Sequence, residues 1–507
     1  MWVCVITVVV LLATYVSLGR FLSTNLQGWQ HEVLALLNSR VPFTISAERI
    51  SGQWSSFTPE ILLHELELDL PDDDTRPLQL TGGRIGIDVL SSVVTRSLKI
   101  SSLQLDGLAL RGELTEEGRL VIPGLTGGGG ALGEWLQDFL LNIEYVTLEN
   151  NRLQVSLPGG LTRDLALFLH LARDGSERRL RADLLSTRGT SIRLHGSGLG
   201  NPFKPDQFEG TLYLQAETGD IAAVADLFTQ TPPLWAEGEL SSELWLYWDR
   251  GEAELDMELS LLDAVLSPAD GEWSLPLDAL SIKGTLLERR NRWTVYASDL
   301  RASHQGVVVD IPRLQLDAWG DSLRLRTADL QLEPLNQFFL GMPALPDGLR
   351  SVFATLNLRG ELAALQLAVG DLADPVAGWD VEGNFRDLQV DSWRGAPGVT
   401  SGTGYFELSD SGGYVVLDSQ QFTMDFPTVY RQPLYYDDFY GTLHLDWDSD
   451  ALLLHSDLIT ATAQEGKALA LFSLNIPFRN TEPGLEMGLL VGLADSHPVH
   501  RAKYIPY

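Results

Sequence analysis

The stretch "GEAELDMELSLL" (251–262) alternates with a period of two. Ala253, Leu255, Met257, Leu259 and Leu261 fall on one side, and Glu252, Glu254, Asp256, Glu258 and Ser260 on the other. Side chains of a strand point alternately to opposite faces, so the stretch reads as a strand with one oily and one acidic face. The same alternation recurs along the chain. "ILLHELELDL" (61–70) sets Leu62, Leu66, Leu68 and Leu70 against Glu65, Glu67 and Asp69. Similar runs occupy 143–157, 179–198, 208–217, 237–248, 252–262, 279–287, 292–300, 306–318, 322–332, 351–371, 378–392, 403–426, 433–447, 451–460 and 468–476. Gly, Asn, Asp and Pro separate them, which predicts antiparallel meanders. In 98–114 the phase slips twice, from Leu98 and Ile100 to Leu103 and Leu105, then to Leu108 and Leu110. Such slips predict bulges or successive short strands.

An oily face repeated over so many strands needs a cover. A second sheet makes a sandwich, and hydrocarbon chains make a groove; periodicity does not choose between them. Stacked at about 4.8 Å, some twenty-five to thirty strands would extend roughly 120–145 Å. At 507 residues the chain exceeds what one compact core serves, so several domains or an elongated repeat are expected. There are 36 Lys plus Arg against 68 Asp plus Glu, a formal net charge of −32. That surface repels nucleic acid and anionic headgroups, so any lipid contact must be made mainly through apolar surface. Cys4 is the sole cysteine, which rules out an intramolecular disulfide and a Cys-based metal site.

Trp2 to Leu18 carries no charge and spans roughly 25 Å as a helix, against a hydrocarbon core of about 30 Å. A cleaved signal peptide is the alternative; the missing basic n-region and A-x-A site favour an uncleaved anchor over 1–20. Leu22, Leu26, Trp29, Val33, Leu36 and Leu37 continue a helical spacing, an amphipathic extension over 21–40. Further short helices are expected at 131–143, after the tetraglycine 127–130, at Asp220 to Phe228 and at Glu333 to Leu340. The last two share a context of strand, helix, Pro-containing linker and strand, a weak internal repeat. The expected division is β segments at 41–218, 219–332 and 333–507, with bulk on one side of a membrane.

Few residues suggest chemistry. "DWDSDALLLHSD" (446–457) resembles a calcium loop but has Ala451 where Gly is needed and Asp457 instead of Glu, so a hairpin turn at 448–450 is expected. "PDDDTRP" (71–77) reads as a solvated loop. His497 and His500 flank a proline, and adjacent Asp437 and Asp438 point to opposite faces. No H-E-x-x-H, P-loop or G-x-S-x-G spacing occurs. No enzyme, metal or cofactor is expected. Trp245 and Trp248 fall on opposite faces of one strand, and one of them is expected in the core.

Specific stretches carry a resemblance. "SLGRFL" after the anchor, "SGQWSSFTPEILLHELELDL" (51–70), "LPDGLRSVFATLNLRGELAALQL" (345–367), the Trp, Pro-Gly and Gly-rich segment with Pro427 and Pro433 (387–447), and "AKYIP" (502–506) together resemble the YhdP family of AsmA-like, TamB-related envelope proteins. The resemblance implies a bridge-like lipid transfer protein of Gram-negative bacteria. It would be anchored in the inner membrane and project an elongated, curved, repeating antiparallel β-groove through the periplasm. Phospholipids would be its partners and outer-membrane integrity its role. Family chains continue beyond "KYIP" and carry basic residues before the anchor, so a truncated N-terminal portion is expected. On this reading Leu66, Leu68, Leu70, Leu244, Leu246, Leu255, Met257, Leu259 and Leu261 line the groove; as a sandwich they would be core. The alternative function is a non-enzymatic scaffold or assembly factor that pairs its sheet edge with outer-membrane client strands.

Overall fold

The chain is described from a computed structural model. The structure describes all residues except 1, 25, 56–57, 71–76, 97–98, 116–119, 122–130, 157–161, 187–188, 220, 222–233, 269–273, 290–291, 344–346, 373–377, 393–396, 449, 479–485, 504 and 506–507. Two compact units, Met1–Ala253 and Glu254–Tyr507, divide it. Both are mostly antiparallel β with few helices, as the alternation predicts.

The first unit opens with α1 (Trp2–Thr24), a short 3-10 turn (Leu26–Trp29) and α2 (Gln30–Asn38). Its strands are β1 (Thr44–Ser55), β2 (Thr58–Asp69), β3 (Leu78–Ile87), β4 (Ile100–Asp106), β5 (Ala109–Leu114) and the two-residue β6 (Leu120–Val121). They continue with β7 (Tyr145–Ser156), β8 (Thr162–Asp174), β9 (Glu177–Ser186), β10 (Ser191–Gly200), β11 (Phe208–Thr218) and β12 (Leu234–Asp249). Helices α3 (Val89–Thr95) and α4 (Ala131–Asn142) interrupt them. β1 to β4 and β7 to β12 form antiparallel ladders. The junction is parallel: β4 lies along the first half of β7 and β5 along the second. Parallel neighbours require a long return connection, and here that return contains α4.

The phase slips of 98–114 have their physical counterparts here. The register shifts between Gly86 and Ile87, opposite the step from Ile100 to Ser102. Gly107, at φ 70°, separates β4 from β5. Across the break the N–H of Leu108 donates to Asn151 Oδ1 at 2.7 Å, and Asn151 is 1% exposed. Asn150, at φ 54°, bulges β7 at the same level. The outer edge of β1 is covered by α2. Asn38 binds Ile45 twice, accepting its N–H at 2.6 Å and donating to its carbonyl at 3.1 Å, while Gln30 donates to Ala47 O at 3.2 Å. Backbone groups that an edge strand leaves free are thereby satisfied.

The second unit contains β13 (Glu252–Pro268), β14 (Leu275–Arg289), β15 (Arg292–His304), β16 (Val307–Trp319), β17 (Ser322–Thr327) and β18 (Leu330–Gln331). Helices α5 (Leu332–Gly341) and α6 (Asp347–Leu356) follow. Then come β19 (Arg359–Val369), β20 (Trp379–Val390), β21 (Gly398–Ser409), β22 (Gly412–Asp425), β23 (Leu434–Trp447), β24 (Ala451–Ser456), β25 (Ile459–Ala463), β26 (Gly466–Pro477) and β27 (Glu486–Ala494). Described pairings from β14 onward are all antiparallel. β17 and β18 share β19, and β24 and β25 together bridge β23 to β26. On one face a polar ladder crosses strands: Arg326 donates to Gln366 at 2.8 Å, Gln366 to Glu382 at 2.9 Å, and Tyr405 to Glu382 at 2.8 Å.

Several expectations need adjusting. The strand expected from 351 begins at Arg359, because Leu349, Val352, Phe353 and Leu356 carry the helical spacing of α6. β1, β3, β8 and β27 are additional strands. The helix expected at 220–228 and the loop at 71–77 lie, but for Ile221 and Pro77, outside the described residues. At the N-terminus α1 is 23 residues long. Among the described residues, however, no helix is long and apolar enough to cross a membrane. The side chains of Val3, Cys4, Val8, Leu11 and Leu12 lie outside that description. The expected transmembrane anchor is therefore not borne by the described residues. In the second half of α1 the ring of Tyr15 meets that of Trp54 on β1 edge-on, with centroids 5.3 Å apart.

Candidate functional site

Cross-strand partners share a face, so strand register defines rows of neighbouring side chains. In the first unit one row runs Gly52, Ile61, Ile85, Leu103, Val146, Leu171, Leu180, Gly196, Leu212 and Leu246, from β1 to β12. The next runs Ile50, Leu63, Gly83, Leu105, Leu148, Leu169, Ala182, Leu194, Leu214 and Leu244. Neither contains a polar side chain. The opposite face is different: Thr147, His170, Arg181, His195, Tyr213 and Trp245 form its row across β7 to β12. At the β1 side Ile50, Ile61, Leu63 and Ile85 are buried under the N-terminal helices and strands. From β8 onward Leu169, Leu171, Leu180, Leu194, Leu212, Leu214, Leu244 and Leu246 are only half-buried.

A cavity of about 870 Å³ opens on these rows. That lies within the range of small-molecule pockets, about 300–1,000 Å³. The sheet supplies its floor, and α4 turns Leu132, Trp135, Leu136, Phe139 and Leu140 onto it. Their three-to-four spacing makes one apolar helix face, and Glu134 complements the positive N-terminal end of the helix. Trp135 donates its indole N–H to Arg40 O at 3.1 Å, meets Phe43 edge-on at 5.4 Å and stacks on Phe139 at 5.0 Å. At the far end, Trp248 donates to Pro205 O at 3.1 Å and holds the loop before β11. Indoles apart, Arg40, Arg178, Ser197 and Thr211 are the polar lining residues.

Four of the residues expected to line a groove, Leu66, Leu68, Leu70 and Leu246, line this cavity. Leu244 lies on the same face in the adjoining row. Leu255, Met257, Leu259 and Leu261 belong to β13 and lie outside the cavity. Leu255, Met257 and Leu259 are half-buried, Leu261 is buried, and all lie opposite Asp256 and Glu258. Those acids bond to β14, Asp256 accepting from Thr285 at 2.5 Å and Glu258 from Lys283 at 2.9 Å. The second unit carries its own apolar row: Leu286, Val295, Leu316, Leu325, Leu367, Val381, Leu408, Gly413, Leu445, Leu454, Leu474 and Met487. Among these only Leu474 is buried.

β8 was missed although Leu165, Leu167, Leu169 and Leu171 alternate in its sequence. Arg178 carries no local signal, because its place depends on α4. Trp248 faces the cavity and Trp245 the opposite face, where Trp245 packs on Tyr213 at 5.4 Å. At the hairpin expected over 448–450, Asp448 Oδ1 accepts the N–H groups of Asp450 and Ala451 at 2.8 and 3.0 Å, which holds its carboxyl below the usual carboxylate range. His497 and His500 are both exposed, with ring centroids 6.5 Å apart. Among the described residues no three His, Cys, Asp or Glu side chains are grouped to hold a metal ion.

Comparison with known proteins adds a family. The family model described as YhdP protein matches residues 1–507. The intermembrane phospholipid transporter YhdP of Escherichia coli strain K12 is 23% identical over 528 residues. That alignment covers 98% of this chain and 40% of the relative, so the chain spans two-fifths of the relative's length. No solved structure matches.

Proposed function

The chain belongs to the YhdP family, and from that premise we propose that it carries phospholipid acyl chains along its apolar sheet face. One observation carries the reading: two all-apolar rows cross the first unit from β1 to β12 and open into a cavity of about 870 Å³. Each methylene moved from water onto such a face contributes about 0.8 kcal/mol. A two-tailed lipid is therefore held strongly against escape, yet neighbouring positions in a row are nearly equivalent and oppose sliding little. No bond is made or broken in this process, so no catalytic group is assigned. The half-buried apolar row of the second unit, together with Leu255, Met257 and Leu259, supports the same use there.

The reading extends to the cell envelope. The protein would lie in the periplasm of a Gram-negative bacterium, held to the inner membrane by α1, and pass phospholipid toward the outer membrane to sustain its integrity. The 23-residue length of α1 and the uncharged run Trp2 to Leu18 support the anchor. Repeated β segments over 41–218, 219–332 and 333–507 would each present an apolar sheet face to the lipid. The likeness to an intermembrane phospholipid transporter of Escherichia coli supports the cargo.

The test is extraction of the purified chain with organic solvent, followed by mass spectrometry. Phospholipid should be recovered with the wild type and be strongly depleted in Leu103→Asp/Leu171→Asp, if that variant keeps its β circular dichroism. Equal recovery from both folded proteins would rule the cavity out as the lipid site.

A further inference from the structure

We propose that Arg178 holds the phosphodiester of the bound lipid at one end of the cavity, which makes it a headgroup-positioning residue. This rests on the lipid-carrier reading and adds a fixed polar end to it. Arg173 and Arg178 face each other across β8 and β9, and Arg178 lines the cavity. Arg178 donates to Gly200 O at 2.6 Å and to Leu141 O at 3.1 Å. Arg173 donates to Leu141 O and Asn142 O at 3.2 and 3.3 Å. Every one of these acceptors is a neutral carbonyl.

No carboxylate pairs with either arginine among the described residues. The nearest acids in sequence, Asp174 and Glu177, both turn to Arg179, at 3.6 and 2.8 Å. Arg178 Nε is buried and has no hydrogen-bond partner. Burial and the neighbouring charge of Arg173 lower the Arg178 pKa, the response of a cation without a counter-ion. The C-terminal carbonyls of α4 offer only about half a negative charge against two whole positive ones. A half-buried cation without an acid partner, at the edge of a largely apolar cavity, is complementary to an anion with hydrocarbon attached. Arg recognises phosphate through a planar fork of N–H donors, which lysine lacks.

The experiment uses the full chain in detergent, with bound lipid counted by native mass spectrometry. The probes are phosphatidylglycerol, diacylglycerol with matched tails, and glycerol 3-phosphate. Wild type should bind phosphatidylglycerol at least about tenfold more tightly than Arg178→Gln, the loss expected for one charge-assisted contact. Diacylglycerol should bind both proteins equally, which also shows that the cavity survives. Arg178→Lys should recover only part of the difference. Glycerol 3-phosphate, without tails, should not displace the lipid. The proposal is overturned if Arg178→Gln retains phosphatidylglycerol, if it loses both lipids equally, or if glycerol 3-phosphate alone occupies the site. If wild type binds diacylglycerol and phosphatidylglycerol alike, the headgroup assignment fails while the carrier reading stands. If it binds neither, the carrier reading itself fails.

Discussion

The indole N–H of Trp135 donates to the backbone carbonyl of Arg40 at 3.1 Å, tying α4 to the end of α2. That bond fixes the helix over the apolar rows from a position 95 residues away in the chain. Trp135→Phe keeps the ring contacts with Phe43 and Phe139 and deletes the bond. The expected cost is about 1 kcal/mol, seen as a lower melting temperature and faster hydrogen exchange over Ala131–Asn142. Exchange unchanged in that helix would mean the bond does not hold it down.

On β13, Met257→Glu with Leu259→Asp should leave the sheet folded, because both positions are half-buried and the acid face of the strand is undisturbed. Phospholipid transfer between donor and acceptor vesicles should fall to background. Full transfer by the folded double variant would remove β13 from the lipid path.

Gly107 separates β4 from β5 with φ 70°, and a Cβ there would lie 1.7 Å from Thr81 Oγ1. Gly107→Ala must bear both left-handed strain and overpacking, about 2–4 kcal/mol together. Gly107→Ala/Thr81→Ala should recover the steric share only. Denaturant titration of both variants measures the two parts, and a neutral single substitution would contradict the assignment.

Asp317 is 1% exposed and pairs with Arg292 at 3.2 Å and Arg326 at 3.4 Å. Burial alone would raise its carboxyl. Hydrogen bonds from Thr294 and Gln315 and the charge of Arg292 override this and hold it below the usual carboxylate range. A depressed folded pKa contributes stability that is complete above the unfolded value, about 4. That contribution disappears as pH falls through the folded value. Asp317→Asn should cost about 2–3 kcal/mol near neutral pH, below the usual range for a broken buried pair because both arginines are partly exposed. It should also flatten the acid side of the stability curve, which chemical denaturation at stepped pH would follow.

Much of this architecture was legible because strand alternation is a local property. The slips at 98–114 could be read residue by residue, and they became the bulge at Ser101–Ser102 and the break at Gly107. The helix over 131–142 was visible in its Leu and Trp spacing. What local pattern could not supply was adjacency. The parallel placement of β4 and β5 on β7 depends on a crossover, and that crossover alone brings α4 above the rows. Arg178 reads in sequence as one of several strand cations in "SERRLRAD". Its meaning arises only where Leu141 and Gly200 meet it. Four of the expected lining leucines reached the cavity because Leu66, Leu68, Leu70 and Leu246 share its face, while β13 belongs to the other unit.

The most direct measurement places a photoreactive amino acid at adjacent positions of opposite face and looks for phospholipid adducts after irradiation in cells. Leu246 against Tyr247 tests the first unit, and Leu259 against Glu258 tests the second. The account predicts phospholipid adducts at Leu246 and Leu259 and none at Tyr247 and Glu258. Equal labelling on both faces, or none at the two leucines, would contradict it.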